Sequence, residues 1–524
     1  MKRGKRLLAL LLSVVLGAGC MMGCSKEGGI SIGGKKGNGN KEEIQIGYWR
    51  SGHGIKWLEE MAAAFEEAYP EYKITIQESS DRNAVKTAWT MEEVDEIDLY
   101  MVTKVYDTEY MEPLDSLLDK TLEGDEKTLR EKFNEGYLAF EESEDGHYYT
   151  LGYGGGAIGL FYNKDLFKKA GVTQLPRTTD EWTLVCDKLY TAGVTPMCHF
   201  NASSVYGYYD YVGYLYQAQY NGTDYYFDNF WACVDENGKS PSKEIFTATD
   251  GRYQTMKALE KFITPEYTLL GSNTKSHTEV QTEFLNDRAA MMINGSWLMT
   301  EMASVGGMDK IGEIRVPVLS AIVDRLTTVK KDADLRKLIT AIDQVTEGEK
   351  QLSDFASGDG YVVDGVTVSK EDWDIVYEAR NTIPSNHPEE SLWVPKYAAQ
   401  KEGAMKFLEF MYSDRGMKLY AESLHATLLL DLSSGEELDT SDWTELEKLQ
   451  KDFIDSAVSL ASDGVSKMHR IFVDGGATPF ANVRFVNKFS AQNKADRLTA
   501  DESWKEVLKA VDTLYDNTWL ENIK

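Results

Sequence analysis

Cysteine is scarce in this chain. Five occur among 524 residues, at positions 20, 24, 186, 198 and 233. None forms a CxxC pair, and the number beyond residue 24 is odd, so neither a disulfide framework nor a thiolate zinc site is encoded. One bridge among Cys186, Cys198 and Cys233, or three reduced thiols, both fit the sequence. Histidine is sparse too: seven residues, none at HxxxH or HExxH spacing. No stretch matches an EF-hand loop, so no metal or other cofactor is expected. GxxxxGK(S/T) is absent, which removes the phosphate-cradling loop. Positive charge is in deficit. Lys and Arg number 56 against 85 Asp and Glu, a formal net charge of −29, and such a surface repels a phosphate backbone, arguing against nucleic acid as partner. What is present is apolar mass: 42% hydrophobic and 11% aromatic residues, enough to exclude a disordered chain and to fill two lobes, each with its own core.

The first residues read as an export signal. Lys2, Arg3, Lys5 and Arg6 precede an apolar run from Leu7 to Leu16. That run is about ten residues, half of what a spanning helix needs, and it suits a cleaved secretory signal over 1–23. Gly23, Cys24 and Ser25 resemble a bacterial lipobox, which implies lipidation of Cys24. Cys20, after Gly17, Ala18 and Gly19, is the rival position, and a plain cleaved signal is the third reading. Residues 24–41 are rich in Gly, Lys, Ser and Asn and form a flexible tether. The folded part is therefore expected outside the cytoplasmic membrane, held there by a lipid.

Beyond the tether, Ile44, Ile46 and Tyr48 alternate with polar residues as in a strand. Ile55, Leu58, Met61, Ala62 and Phe65 share one helical face that Pro70 ends, and Tyr72, Ile74 and Ile76 alternate again. Strand, helix, strand is a βαβ unit and implies a parallel sheet. Residues 96–102 and 288–293 read as buried strands. Thr178 is placed to cap a helix, with Glu181 completing a capping box and Gly193 ending it. Amphipathic helices follow at 401–422 and 503–522.

Several stretches, in order, resemble one family. "IGYWRSGHGIKWLEEMAAAFEEAYPEYKITI", "LGYGGGAIGLFYNKDLFKKAGV", "PRTTDEWTLVCDKLYTAGVTP", "FLNDRAAMMINGSWLM", "IRVPVLSAI" and "WVPKYAAQKEGAMKFLEFMYSD" resemble the extracellular solute-binding lipoproteins of carbohydrate-type ABC importers. The resemblance implies a two-lobe α/β fold, each lobe a mainly parallel sheet flanked by helices, with hinge strands between them. It also implies a ligand clamped between the lobes, a membrane permease as partner, a monomer and no catalysis. On that pattern 42–152 opens the first lobe, 153–310 the second, 311–430 returns to the first, and 431–524 is helical and mainly second lobe. Residues 322–386 exceed the family's usual return segment; two charged helical patterns and a hairpin signal there suggest an extra subdomain or a lid.

A sugar presents hydroxyls and apolar C–H faces, so its site needs aromatic platforms and planar polar groups, and unmet buried hydroxyl partners make recognition specific. Candidates are Trp49, Ser51 and His53 after the first strand, Asp81 and Arg82 after the second, and Tyr153 at the expected hinge. Asn294, Ser296 and Trp297 occupy the turn that the resemblance places against ligand. Trp231, in the run "YYFDNFW", and Trp393 complete the set, with Tyr206, Tyr208 and Tyr209 behind them. Each Trp has a plainer reading as core; Asp81 and Arg82 read equally as a solvated cap. Two rival functions stand beside the sugar receptor: the same fold binding a peptide or polyamine, and an extracellular glycoside hydrolase, which needs two placed carboxylates.

Overall fold

Ile44, Ile46 and Tyr48 are fully buried along β1 (Glu42–Trp49), which is followed by helix α1 (Lys56–Ala68) and β2 (Tyr72–Ser79). The strands pair in parallel from Glu42 opposite Tyr72 to Trp49 opposite Ser79, as the alternating pattern predicts. The helix buries Trp57, Leu58, Met61, Ala62 and Phe65; Ile55 lies just before its first turn and is only half-buried. The computed structural model describes residues 41–50, 52–79, 96–102, 108–133, 137–138, 141–143, 145–154, 156–200, 209–248, 251–385, 390–461, 486–515 and 520. The expectations for the signal, the tether, Cys20, Cys24, Ser51, Asp81, Arg82, Tyr206 and Tyr208 lie outside them.

The first lobe is built on a five-stranded sheet in the order β2-β1-β3-β12-β4. β3 (Leu99–Val102) is buried at every residue and runs parallel to β1. β4 (Leu151–Gly152) is short, and β12 (Ser391–Trp393) inserts antiparallel between β3 and β4. Ile46, Phe65, Met101, Leu151, Phe407 and Met411 share its core.

The second lobe departs from the expected parallel sheet. β5 (Ile158–Asn163) is flanked by β6 (Met291–Gly295) and β7 (Ile311–Arg315), antiparallel to both. β5 arrives from the first lobe along a crossing, so it enters against the direction of its neighbours. Residues 311–315 thus remain in the second lobe, where the sequence pattern had them begin the return. One face of this sheet packs with α2 (Thr179–Thr191) and α3 (Tyr209–Asn221), the other with Phe161, Phe284, Met292 and Leu298. The cap of α2 is half of what was predicted. Thr178 Oγ1 accepts from Glu181 N at 3.3 Å, but Glu181 Oε2 takes Arg177 N at 2.9 Å because the Arg177 guanidinium holds the carboxylate on that side.

Residues 322–381 form their own cluster. α4 (Asp332–Thr346) and α5 (Lys370–Asn381) cover a hairpin of β9 (Gly360–Val363) and β10 (Val366–Ser369), with β8 (Ala356–Ser357) beside it. Leu335, Leu338, Ile342, Trp373 and Val376 make the core. α6 (Asp414–Leu424) returns to the first lobe, α7 (Glu445–Asp455) leads back toward β7, and α8 (Ala500–Leu514) closes on the second lobe. β11 (Thr382–Pro384) and β13 (Ser459–Ala461) pair in parallel at the junction. Ile383 and Leu460 reach the first core, whereas Ala461 joins the second.

Cys186, Cys198 and Cys233 are buried free thiols. Burial pushes the thiol of Cys233 up to about 12, so it stays protonated and unreactive. Among the described residues, no helix is long and apolar enough to cross a membrane.

Candidate ligand-binding seam

Tyr153 follows β4 where the chain first crosses between lobes. Its N–H donates to Glu390 O at 3.1 Å. Its ring packs on Trp57 at 5.5 Å and edge-on to Tyr420 at 6.4 Å. Burial, reinforced by the Glu390 carboxylate, holds its phenol well above the ordinary range, which keeps it a neutral donor at cellular pH. Glycine at 154 leaves room for these side chains: a β-carbon would sit 2.3 Å from Glu390 Oε2 and 2.4 Å from Tyr420 Oη. His53 arrives from the loop after β1 and places Nε2 3.2 Å from Glu390 Oε1, the two side chains 12% and 3% exposed. Glu390 is thus a buried carboxylate surrounded by His53, Tyr420 and the crossing backbone.

The second lobe faces this cluster with the turn after β6. Ser296 N donates to Ala157 O at 3.2 Å, which seats the turn on the crossing strand. Trp297 then lies over bare backbone. A β-carbon on Gly295 would be 2.3 Å from its Cη2, and one on Gly156 would be 2.9 Å from its Cζ3 and 2.5 Å from Ser296 Oγ. The first lobe comes down on the same spot: a β-carbon on Gly52 would be 2.8 Å from Trp297 Cβ and 3.3 Å from Glu301 Oε1. Glu301 is oriented by Gln281, whose Nε2 donates to its Oε2 at 2.7 Å. Loops of both lobes therefore meet at Trp297 and Glu301, and the residues next to Gly52 and Gly154 on the first-lobe side bring His53 and Glu390 together.

His53, Tyr153, Ser296 and Trp297 are the sequence candidates that the fold brings together. Asn294 is fully buried beneath them. Its Oδ1 accepts from Gly295 N at 2.8 Å and its amide leans on Met292 Sδ, so it braces the turn. Trp49 is half-buried against the cluster that holds Trp393, and Trp393, fully buried, stacks on Tyr100 at 4.5 Å. Trp231 is 1% exposed, walled in by Tyr214, Tyr226 and Phe230. Tyr209 is fully buried, edge-on to His199 at 5.9 Å. Sequence reasoning missed Glu390, Glu301 and Tyr420. Glu301 had a signal, one helical turn beyond Trp297, where its N–H donates to Trp297 O at 2.9 Å. Glu390 and Tyr420 come from segments remote in sequence and had none.

Among the described residues, no group of His, Cys, Asp or Glu is arranged to hold a metal ion.

Comparison with known proteins locates this architecture. A family profile described as bacterial extracellular solute-binding protein matches residues 51–418. A search of curated proteins finds no match. Among solved structures, the bacterial solute receptor AcbH, described as exclusively preferring β-D-galactopyranose, is similar with a TM-score of 0.61 at 14% identity, covering 91% of this chain and 99% of that one. The GacH receptor of Streptomyces glaucescens GLA.O, solved unliganded and with acarbose, gives 0.59 at 14% identity, covering 91% and 99%. The solute-binding protein RafE in complex with raffinose gives 0.56 at 14% identity, covering 91% and 99%. At such identities the likeness is one of fold.

Proposed function

This chain belongs to the bacterial extracellular solute-binding protein family, and from that premise we propose that it captures a sugar or oligosaccharide between its lobes and delivers it to the permease of an ABC importer. The family and fold are those of substrate-binding receptors. The observation that carries the reading is the seam itself. Trp297, buried over Gly156 and Gly295, offers an apolar platform, with Glu301 beside it and the His53–Glu390 pair on the facing loops as hydroxyl partners. An aromatic face beside convergent, buried polar groups is what a sugar requires. Closure is driven by contacts that both lobes make only with ligand between them. Trp49 and Tyr153 support the first-lobe side. In this reading the protein works without catalysis, as a monomer, on the outer face of the cell membrane, exported by its signal and held by lipid on Cys24 or Cys20.

A second reading rests on the same carboxylates. Glu390 and Glu301, the latter beside the Trp297 indole, also suit a polyamine, which pairs cations with acids and aromatic faces. Thermal unfolding of the Ser25–Lys524 protein against oligosaccharides, polyamines, peptides and amino acids separates them. At a hundredfold excess over Kd a ligand of the native state stabilises by about 2.7 kcal/mol. A shift with one sugar and no sugar consumption is the expected result. A shift with amines alone would replace the sugar, and sugar cleavage in the same wells would replace the receptor.

A further inference from the structure

The segment 322–381 is fastened to the second lobe at several independent points. On α4, Arg336 Nη1 pairs with Glu181 Oε1 at 3.2 Å, and Asp332 Oδ1 accepts from Ser320 Oγ at 2.9 Å. On α5, Glu378 Oε1 accepts from Thr223 N at 3.0 Å and from Thr223 Oγ1 at 2.8 Å. Gln219 of α3 is buried and binds in two directions: its Nε2 donates to Ala379 O at 2.8 Å and its Oε1 accepts from Leu319 N at 2.9 Å. The two helices are locked to each other by Arg380, which forks onto Asp343 at 2.7 and 3.1 Å.

The same segment runs straight into the hinge. α5 ends at Asn381 and β11 begins at Thr382, with no loop between. Thr382 Oγ1 donates back to Glu378 O at 2.8 Å, and Val458 N donates to Asn381 O at 3.0 Å. β11 then pairs with β13 from Thr382 opposite Ser459 to Pro384 opposite Ala461. A crossing strand is therefore the direct continuation of a helix whose carbonyl and carboxylate are gripped by α3 and the residue after Gly222.

We propose that residues 322–381 are a hinge anchor fixed to the second lobe. They travel with that lobe, hold β11 at a set angle to α3, and so determine how readily the lobes bend from a position outside the ligand seam. Loosening Gln219 or Glu378 softens the hinge without touching His53, Tyr153 or Trp297. The anchor does not depend on which solute is bound, so it can be tested in the ligand-free protein.

Amide hydrogen exchange of the Ser25–Lys524 protein reads the hinge directly. Gln219→Ala and Glu378→Ala are each expected to speed exchange at Thr382 and Ile383 by about tenfold while β5 and β6 keep their rates, because sub-global opening is local to the loosened unit. Thr223→Val, which keeps the fold's volume and deletes only one hydroxyl, gives a smaller change in the same residues and covers the case in which a larger truncation unfolds the chain. Spin labels at Asp364→Cys and Lys188→Cys, both exposed positions, should report one narrow distance. Unchanged exchange at Thr382 and Ile383 in all three variants overturns the proposal. A second, longer distance between the labels overturns it as well, because a segment that swings off the second lobe is a lid.

Discussion

Gln450 donates to Glu313 inside the second lobe, Nε2 to Oε2 at 2.9 Å, and the other carboxylate oxygen has no partner among the described residues. That oxygen lies against β5, where a β-carbon on Gly159 would be only 2.2 Å away. Burial raises the Glu313 carboxyl to about 8, with the Gln450 hydrogen bond pulling weakly the other way. The group is thus a neutral acid in the fold at neutral pH and an ionised one when unfolded. Its contribution is present below the ordinary carboxyl range and is lost as pH climbs toward 8. Urea unfolding at pH 5 and pH 9 should show the wild type losing on the order of a few kcal/mol more than Glu313→Gln over that interval. Equal losses in both proteins would place the pH dependence elsewhere.

Gly52 is the first lobe's point of contact with Trp297. Gly52→Val puts atoms where the gap is 2.8 Å to Trp297 Cβ, which wedges the lobes at the mouth of the seam. For whichever sugar stabilises the wild type, isothermal titration should then show affinity reduced by about tenfold or more, roughly 1.4 kcal/mol. The unfolding midpoint without ligand should stay near that of the wild type. Unaltered affinity would mean that the seam does not close on ligand at this point.

Trp297→Ala removes the platform and should weaken the same sugar by about a hundredfold, roughly 2.7 kcal/mol. Trp49→Ala is expected to cost less, since that ring is already half-covered by the cluster around Trp393. If both variants bind as well as the wild type, the sugar is held by other residues.

Lys132 anchors the return of the chain to the first lobe. Its ammonium has no exposure and lies 2.5 Å from Asp125 and 2.8 Å from Asp414, while Tyr412 O accepts from it at 2.8 Å. Asp414 in turn takes Ser433 N at 2.9 Å. Lys132→Met leaves two buried carboxylates without their cation and should destabilise by about 3–5 kcal/mol, read by denaturant unfolding. A loss below about 1 kcal/mol would show that water replaces the ammonium there.

The opening βαβ unit was legible because each of its elements announces itself locally. Ile44, Ile46 and Tyr48 repeat with period 2, and Leu58, Met61, Ala62 and Phe65 with the helical period. The direction of β5 was not legible. Nothing in Ile158–Asn163 says that its neighbours come from residues 291–295 and 311–315, and direction in a sheet is decided by how the chain crosses between lobes. The same limit applies at the seam. Trp297 was visible because it ends a strand in a turn, and its glycine bed could be guessed from the run after Tyr153. Glu390 was invisible, since its role depends on His53, Gly154 and Tyr420 arriving from three distant stretches. Local sequence also does not separate an indole that faces solvent from one that fills a core, and Trp231 and Trp393 turned out fully enclosed.

The insertion of β12 between β3 and β4 has a kinetic side. Leu392 pairs with Met101 on one flank and Leu151 on the other, so the first sheet holds an open slot until residues 391–393 have been made. Until then β3 and β4 present unpaired edges of the kind that join other chains, and closing so long a loop is slow. A nascent chain with everything before Ser391 is a template missing its middle rung, and the protein's hazard is greatest before its last quarter has been synthesised.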